Sequence, residues 1–151
     1  MKIIVDAYNI IGYIDHIRLS DPNKVEMFTQ WLIRNRKNKV HIIAVFDGQN
    51  ELVGFPTTER HSGVTIIHTS GQQSADQYIM DKLDSMQDVS TTLVVSSDRE
   101  ILFHAKKKKI KVMGALTFIM YMQQREPLAE RKEMPQITNK HVDYWLNEFG
   151  D

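Results

Sequence analysis

Short apolar runs alternate along this chain with stretches in which apolar residues recur every three or four positions. Runs at 2–5, 40–46, 64–68, 92–95 and 110–113 are rich in β-branched residues and predict five buried strands. Several stretches between the runs have the spacing of amphipathic helices, with Val25, Phe28 and Leu32 as one clear example. This alternation predicts an α/β fold with a mostly parallel five-stranded sheet and helices on both faces.

Local signals mark where some of these elements begin and where the pattern fails. Three helix starts are indicated by polar capping residues, namely Asp21-Pro22, the pair Ser74 and Gln77, and the pair Ser97 and Glu100. Residues 10–20 are ambiguous, and a short polar turn is expected directly after Asp6. Residues 48–63 have no period and predict a long surface loop.

The last part of the chain differs from the rest. We expect one domain over residues 1–124, followed at 125–151 by a charged linker and an amphipathic helix. The apolar face of that helix consists of Val142, Trp145, Leu146 and Phe149. Such a face is expected to dock on the domain itself, on a second copy or on a partner.

Composition narrows the class of protein. The chain has 151 residues, a formal net charge of zero and no cysteine. Zero net charge argues against a protein that binds nucleic acid by overall positive charge alone, although a local basic patch stays open. The absence of cysteine excludes disulfides and thiolate metal sites. The absence of cysteine and of a signal peptide fits the cytoplasm. No apolar run approaches the roughly 20 residues of a membrane helix, so no membrane partner is expected.

Four acidic residues stand where predicted strands end or the following helix begins: Asp6, Asp47, Asp76 and Asp98. Each one alone is more simply a turn or capping residue. Together they are expected at the carboxyl edge of a parallel sheet, where ligands bind in α/β folds. Gathered carboxylates repel one another unless cations or protons lie between them, and their hard oxygens suit Mg²⁺ or Mn²⁺. The pattern therefore predicts a metal-dependent enzyme that acts on phosphate esters.

Further polar residues are candidates for the same site. Asn9 could orient a water or a phosphate, and Ser97 could bind a phosphate or orient Asp98. Arg99 and the lysines at 106–109, Lys107 and Lys108 among them, could hold a phosphodiester backbone, although such a run is more often a solvated helix end. The six histidines lack ligand spacing, and none is assigned to a metal.

The four acidic segments, Ile4-Val5-Asp6-Ala7-Tyr8-Asn9, Val45-Phe46-Asp47-Gly48, Ser74-Ala75-Asp76-Gln77 and Val94-Val95-Ser96-Ser97-Asp98-Arg99, resemble in order and spacing those of the NYN domain family. The resemblance is to the YacP-like ribonuclease branch of the PIN-like nuclease fold and covers roughly residues 2–120. It implies a Rossmann-like three-layer sandwich and RNA cleavage with Mg²⁺ or Mn²⁺. It also implies that the four acids hold metal, that Asn9 is an active-site partner, and that the RNA target is free or ribosome-associated.

The chain departs from the pattern of this family at two positions. Met80 stands near a place where an acid is expected, and Gln73 stands where a further acid often precedes the Ala-Asp pair. One alternative is therefore a PIN-like module that binds RNA or a ribonucleoprotein without cutting it. Another is a receiver-like phosphoacceptor domain, although the paired acids such a domain needs after its first strand are missing.

Overall fold

The computed structural model of the protein describes residues 1–48 and 54–124. Their strands and helices follow one another in the order β1 (Lys2–Asp6), α1 (Ala7–Ile11), α2 (Lys24–Asn35), β2 (His41–Phe46), β3 (Thr57–His61), β4 (Val64–His68), α3 (Ala75–Ser85), β5 (Thr92–Val95), α4 (Arg99–Lys107), β6 (Lys111–Met113) and α5 (Ala115–Gln123). The five predicted strands are all present, with ends that shift by one residue at most.

The strands form one sheet in the order β3-β4-β2-β1-β5-β6. Only β3 is antiparallel to its neighbour, and the other pairs are parallel. In the register of the sheet, Asp6 lies opposite Val45 of β2, and Val5 lies opposite Val95 of β5. The carboxyl ends of the three central strands therefore lie level with one another, and the loops that follow them meet at one edge.

A separate apolar layer covers each face of the sheet. Successive residues of β1 alternate between the layers, with Ile3 and Val5 facing one side and Ile4 the other. Helices α1, α2 and α5 cover the first face, where Trp31 and Phe118 are buried. Helices α3 and α4 cover the second, with Ile79 and Leu102 inside. The prediction of a mostly parallel sheet with helices on both faces is confirmed.

The prediction of five strands is wrong by one, because β3 lies inside the stretch that was expected to be a loop. All five of its side chains are exposed, so no apolar alternation marks it in the sequence. Strand β3 forms a hairpin with β4 through Ser62 and Gly63, whose φ values are 45° and 83°. A two-residue turn with positive φ at both positions matches the twist of paired strands.

Two expectations for the first helical face also need correction. The segment after Asp6 is helix α1 rather than a polar turn, because Ile10 and Ile11 reach the core from a single helical turn. Helix α2 begins at Lys24 rather than at Pro22. Asp21 instead caps a turn, in which its Oδ1 accepts a 2.8 Å hydrogen bond from the backbone N–H of Asn23.

The predicted capping residue is confirmed for one helix of the second face and wrong for the other. The Oγ of Ser74 accepts a 3.1 Å hydrogen bond from the N–H of Gln77 and caps α3. Helix α4 is capped by Asp98 instead of Ser97, since Oδ1 of Asp98 accepts a 2.8 Å hydrogen bond from the N–H of Glu100. Asp98 is therefore held at the start of a helix, where the helix dipole favours a negative charge.

Two predictions, on membrane helices and on the end of the chain, remain to be compared with the structure. None of the helices in residues 1–48 and 54–124 is long and apolar enough to cross a membrane. The predicted linker and amphipathic helix at 125–151 lie outside the described residues.

Candidate functional site

Asp6 is the last residue of the central strand β1 and is only 7% exposed. Its Oδ2 accepts a 3.1 Å hydrogen bond from the hydroxyl of Ser96, a residue that is fully buried. Burying a carboxylate is costly unless it is hydrogen-bonded and its charge is compensated. The end of β1 thus presents an acid that the surroundings only partly satisfy.

Ser96 also fixes a second acid. Its Oγ accepts a 2.9 Å hydrogen bond from the backbone N–H of Asp98 while its hydroxyl hydrogen is donated to Asp6. One buried side chain therefore links the acid that ends β1 to the acid that begins α4, across 92 positions of sequence. This link sets how the loop after β5 approaches the end of β1.

Asp47 follows β2 and is fixed from two sides. Its Oδ1 accepts a 2.6 Å hydrogen bond from the backbone N–H of Ala75, the first residue of α3. The next residue, Gly48, donates its N–H to Oγ1 of Thr69 at 2.8 Å. A Cβ atom on Gly48 would lie 1.6 Å from the carbonyl oxygen of Thr69, so only glycine fits there. These contacts tie the end of β2 to the loop between β4 and α3.

Asp76 lies in the first turn of α3 and interacts directly with Asp98. Burial raises its pKa first, followed by a hydrogen bond with the Asp98 carboxyl and by the charges of Asp98, Asp47 and Glu100. The resulting pKa is about 6. Asp76 therefore keeps its proton to a higher pH than an isolated aspartate does.

The pKa of Asp6 is raised further than that of Asp76. Burial is the main cause that raises its pKa, the hydrogen bond from Ser96 opposes the rise, and the charges of Asp76, Asp98 and Asp47 add to it. The pKa of Asp6 reaches about 7, compared with an ordinary value of 3.8. The four acids at the strand ends therefore act on one another as one cluster, with Asp6 at its buried centre.

Asn9 and Ser97 brace the loop that carries Asp98. The Oδ1 atom of Asn9 accepts a 2.8 Å hydrogen bond from the backbone N–H of Ser97. The Oγ atom of Ser97 accepts a 3.3 Å hydrogen bond from the N–H of Ala115, at the start of α5. These two contacts join α1, the loop after β5 and α5, and they are located next to the acidic cluster.

The basic candidates are divided between two ends of helix α4. Arg99 is its first residue and is exposed beside Asp98. Lys107 is the last residue and Lys108 is the C-terminal cap. Lys107 lies nine positions after Asp98, which corresponds to a rise of about 14 Å along the helix axis. The structure therefore brings Arg99 to the acidic edge and leaves Lys107 and Lys108 away from it.

The carboxylates are close without being arranged around a common point. Within residues 1–48 and 54–124, no three His, Cys, Asp or Glu side chains are placed so that they could hold an ion together. Asp6, Asp47 and Asp98 each engage one carboxylate oxygen with a protein donor. Asp81, the acid next to Met80, accepts hydrogen bonds from Gln73 at 2.9 Å and Gln77 at 2.8 Å. Both carboxylate oxygens of Asp81 are thus engaged by glutamine side chains.

Sequence reasoning missed two residues that position the acids. Ser96 directly follows the apolar strand β5 and precedes two further polar residues, and this position beside Asp98 is the one sequence signal that pointed to it. Thr69 follows β4 and is 4% exposed. Nothing in the sequence indicates its contact with Gly48, which depends on β2 and β4 being neighbours.

Comparison with known proteins identifies the family and the fold of the chain. The YacP-like NYN domain family matches residues 3–148 of the chain. A search of curated protein sequences finds no match. A crystal structure of Rae1 (YacP) from Bacillus subtilis is similar with a TM-score of 0.66 and 16% identity, over 95% of this chain and 83% of that one.

A crystal structure of a tryptophan-to-leucine mutant of the same Bacillus subtilis protein is similar with a TM-score of 0.61 and 18% identity. The alignment covers 95% of this chain and 99% of that one. At such identities the likeness concerns the fold, while the family match spans most of the sequence. The chain therefore belongs to the YacP-like NYN domain family, which is of nuclease type and has the PIN-like fold.

Proposed function

We propose that this protein is a divalent-metal-dependent endoribonuclease whose active centre is the cluster of Asp6, Asp47, Asp76 and Asp98. The observation that carries the proposal is the position of Asp6, a buried carboxyl whose pKa is about 7 among three other acids. A fold gains no stability from gathering four carboxylates at one edge, because like charges repel. Such an arrangement is explained by the binding of a cation.

The donor set fits Mg²⁺ or Mn²⁺, which prefer carboxylate oxygens. Asp6, Asp47, Asp76 and Asp98 would hold the ion. When bound, the ion would activate water and neutralise charge on the phosphate. No histidine or cysteine is needed for this chemistry.

The remaining residues of the site position the acids and the substrate. Ser96 keeps Asp6 and Asp98 in a fixed relation, and Asn9 holds the backbone at Ser97. Arg99, exposed beside Asp98, binds a phosphate of the RNA strand. Ser97 can contact the same phosphate group. Lys107 and Lys108 would bind the strand only at a distance from the bond that is cut.

RNA is the proposed substrate because the family is of nuclease type and a cation held at the acidic edge would bind a phosphodiester. We place the protein in the cytoplasm, and its target is either free or ribosome-associated RNA. The solved structures of Rae1 (YacP) support the fold on which this proposal rests.

One observation favours a second candidate, a PIN-like module that binds RNA or a ribonucleoprotein without cutting. Met80, at the position near which the family pattern has an acid, is 8% exposed and belongs to the apolar core. Asp81 beside it is held by two glutamines. A weaker metal site would follow from the missing carboxylate.

A circular RNA separates the two candidates, because only an endonuclease can open a molecule without ends. The metal-stripped wild type is expected to linearise it after Mg²⁺ or Mn²⁺ is added, and not in EDTA. Asp98→Asn should remove this activity, while Asp88→Asn, the same change at an exposed aspartate, should retain it. Binding of the circle without cleavage under every metal condition would support the second candidate.

A further inference from the structure

The outward face of helix α4 carries an aromatic ring between cations. Arg99, Phe103 and Lys107 are spaced four residues apart, and all three are exposed. The side chain of Phe103 is 66% exposed, although α4 buries Ile101, Leu102 and Ala105 on its other side. Among the described residues, Phe103 therefore presents an open ring on a helix face that also carries cations.

The charges along this face favour a polyanion. Arg99 and Lys107 border Phe103 along the helix, and Lys106 adds a further cation, while Glu100 is the acid on the same helix. The ammonium group of Lys107 lies 5.6 Å from the centre of the Phe103 ring. Proteins bind single-stranded nucleic acid with surfaces that combine cations and aromatic rings. The cations bind phosphates and the bases stack on the rings.

The two neighbouring lysines at the end of α4 are not equivalent. Lys108 Nζ lies 3.1 Å from Oδ1 of Asp84, which His104 also contacts at 2.8 Å. Those contacts lower the pKa of Asp84, first through His104 and then through Lys108, so this carboxylate remains charged and compensates Lys108. Among the described residues, Lys107 has no carboxylate within ion-pair distance. Lys107 is therefore the better phosphate ligand.

The direction of the helix connects this face to the acidic cluster. Helix α4 begins at Arg99, directly after its N-cap Asp98, and leads away from the sheet edge with a rise of about 6 Å over each step of four residues. That step is comparable to the separation of neighbouring nucleotides in an extended strand. A strand whose phosphate contacts Arg99 beside the acids can therefore place the next base on Phe103 and a further phosphate on Lys107.

We propose that single-stranded RNA leaves the acidic cluster along the outward face of α4, stacking one base on Phe103 and binding a phosphate with Lys107. The proposal rests on the nuclease function proposed above and adds to it the surface that holds the strand. It requires an unpaired RNA segment, because a base within a duplex has no open face to offer the ring.

The test measures equilibrium binding of a fluorescent 12-nucleotide oligouridylate in EDTA, where metal-dependent cleavage is prevented. Phe103→Leu removes the ring but keeps an apolar side chain, and it should weaken binding by roughly 5- to 150-fold, the range for one stacked base. Phe103→Tyr keeps the ring and should bind within about twofold of wild type. Lys107→Ala should reduce the slope of log affinity against log salt by about 0.7. Arg34→Ala, which removes an exposed cation from α2 on the opposite face, is the control and should change neither quantity.

Wild-type affinity in both Phe103→Leu and Lys107→Ala would overturn the proposal, as would an equal loss in Arg34→Ala. A change of oligomeric state in Phe103→Leu, with unchanged RNA affinity, would assign the face to contact between protein copies and would also overturn it. The circular-RNA assay measures cleavage, and its outcome is independent of these binding measurements. Failure of cleavage in the wild type would refute the nuclease and leave the binding face intact, whereas wild-type binding in the α4 variants would leave the nuclease intact.

Discussion

The hydroxyl of Ser96 donates a hydrogen bond of 3.1 Å to Oδ2 of Asp6, and Oγ of Ser96 accepts one of 2.9 Å from the N–H of Asp98. This buried serine joins the central acid of the cluster to the acid that caps α4. Its position follows from the register of β1 and β5, in which Val5 and Val95 are partners and the next residues are Asp6 and Ser96.

Replacing Ser96 by alanine should therefore disturb both acids at once. The part-buried N–H of Asp98 would lose its acceptor, at a cost of up to about 1–3 kcal/mol. By analogy with residues that orient metal ligands, RNA cleavage should fall by roughly 10- to 100-fold. Steady-state kinetics should assign the loss to kcat with little change in KM. Ser85→Ala, at an exposed serine, is the control and should cleave normally.

The pKa of Asp6 predicts how the metal-free protein responds to pH. The folded protein keeps the Asp6 proton up to a pH of about 7, whereas the unfolded chain releases it near 3.8. Between these values the folded state binds more protons, so Asp6 makes the free energy of unfolding decrease as pH rises. The decrease is complete above pH 7 and amounts to at most roughly 4 kcal/mol, at 1.36 kcal/mol for each pKa unit.

Asp6→Asn removes this titration and should stabilise the metal-free protein more at pH 7.5 than at pH 5. Denaturant unfolding in EDTA at the two pH values measures the difference. Asp88→Asn serves as the control, since hydrogen bonds from Ser90 lower the pKa of Asp88 and its removal should give no gain. An Asp6→Asn protein with the same gain at both pH values would show that Asp6 ionises normally.

Gly48 and Gly54 form a matched pair for testing the support of Asp47. Gly48→Ala would bring a Cβ to 1.6 Å from the carbonyl oxygen of Thr69, so the backbone after Asp47 must move. We expect a loss of roughly 1–3 kcal/mol in stability, as for other overpacked sites, together with impaired cleavage. Among the residues that the structure describes, a Cβ at Gly54 meets nothing within 4 Å, and Gly54→Ala should behave as wild type in both measurements. Equal behaviour of the two variants would contradict the close contact at Thr69.

The segment at 125–151 also yields a prediction, drawn from its sequence. Val142, Trp145, Leu146 and Phe149 share one face of the predicted helix, and we expect this face to dock on the rest of the chain. Truncating one large buried aromatic costs about 3–5 kcal/mol, so deletion of residues 138–151 should lower the melting temperature or cause aggregation. Calorimetry and gel filtration of the shortened chain provide the check. A monomer that melts unchanged would make the helix a separate partner-binding segment.

The sequence predicted those parts of the fold that depend on apolar pattern. Strands β4 and β5 have the expected bounds, since their side chains are buried almost throughout. Strand β3 was missed because its five side chains are exposed and leave no alternation to detect. Helix α1 was missed because a single turn with Ile10 and Ile11 is too short to establish a period.

The candidate site was predictable to a different degree. The acids could be placed at one edge, because strand ends of a parallel sheet converge. The hydrogen bonds that hold the acids in place could not be predicted, because they join residues far apart in sequence. Ala75 and Asp47 are 28 residues apart, and Ser96 and Asp6 are 90 residues apart. The remote position of Lys107 and Lys108 follows from the direction of α4, which begins at Asp98 and leads away from the edge.

The most direct test of the central claim is a crystal structure of the protein soaked in Mn²⁺, with anomalous scattering used to locate the ions. We expect manganese bound by oxygens of Asp6 and Asp98, with Asp47 or Asp76 completing the site. If two ions bind, they should lie about 3.5–4 Å apart. An edge without manganese, in crystals of protein that cuts RNA with Mn²⁺ in solution, would contradict the assignment of these four aspartates as the metal ligands.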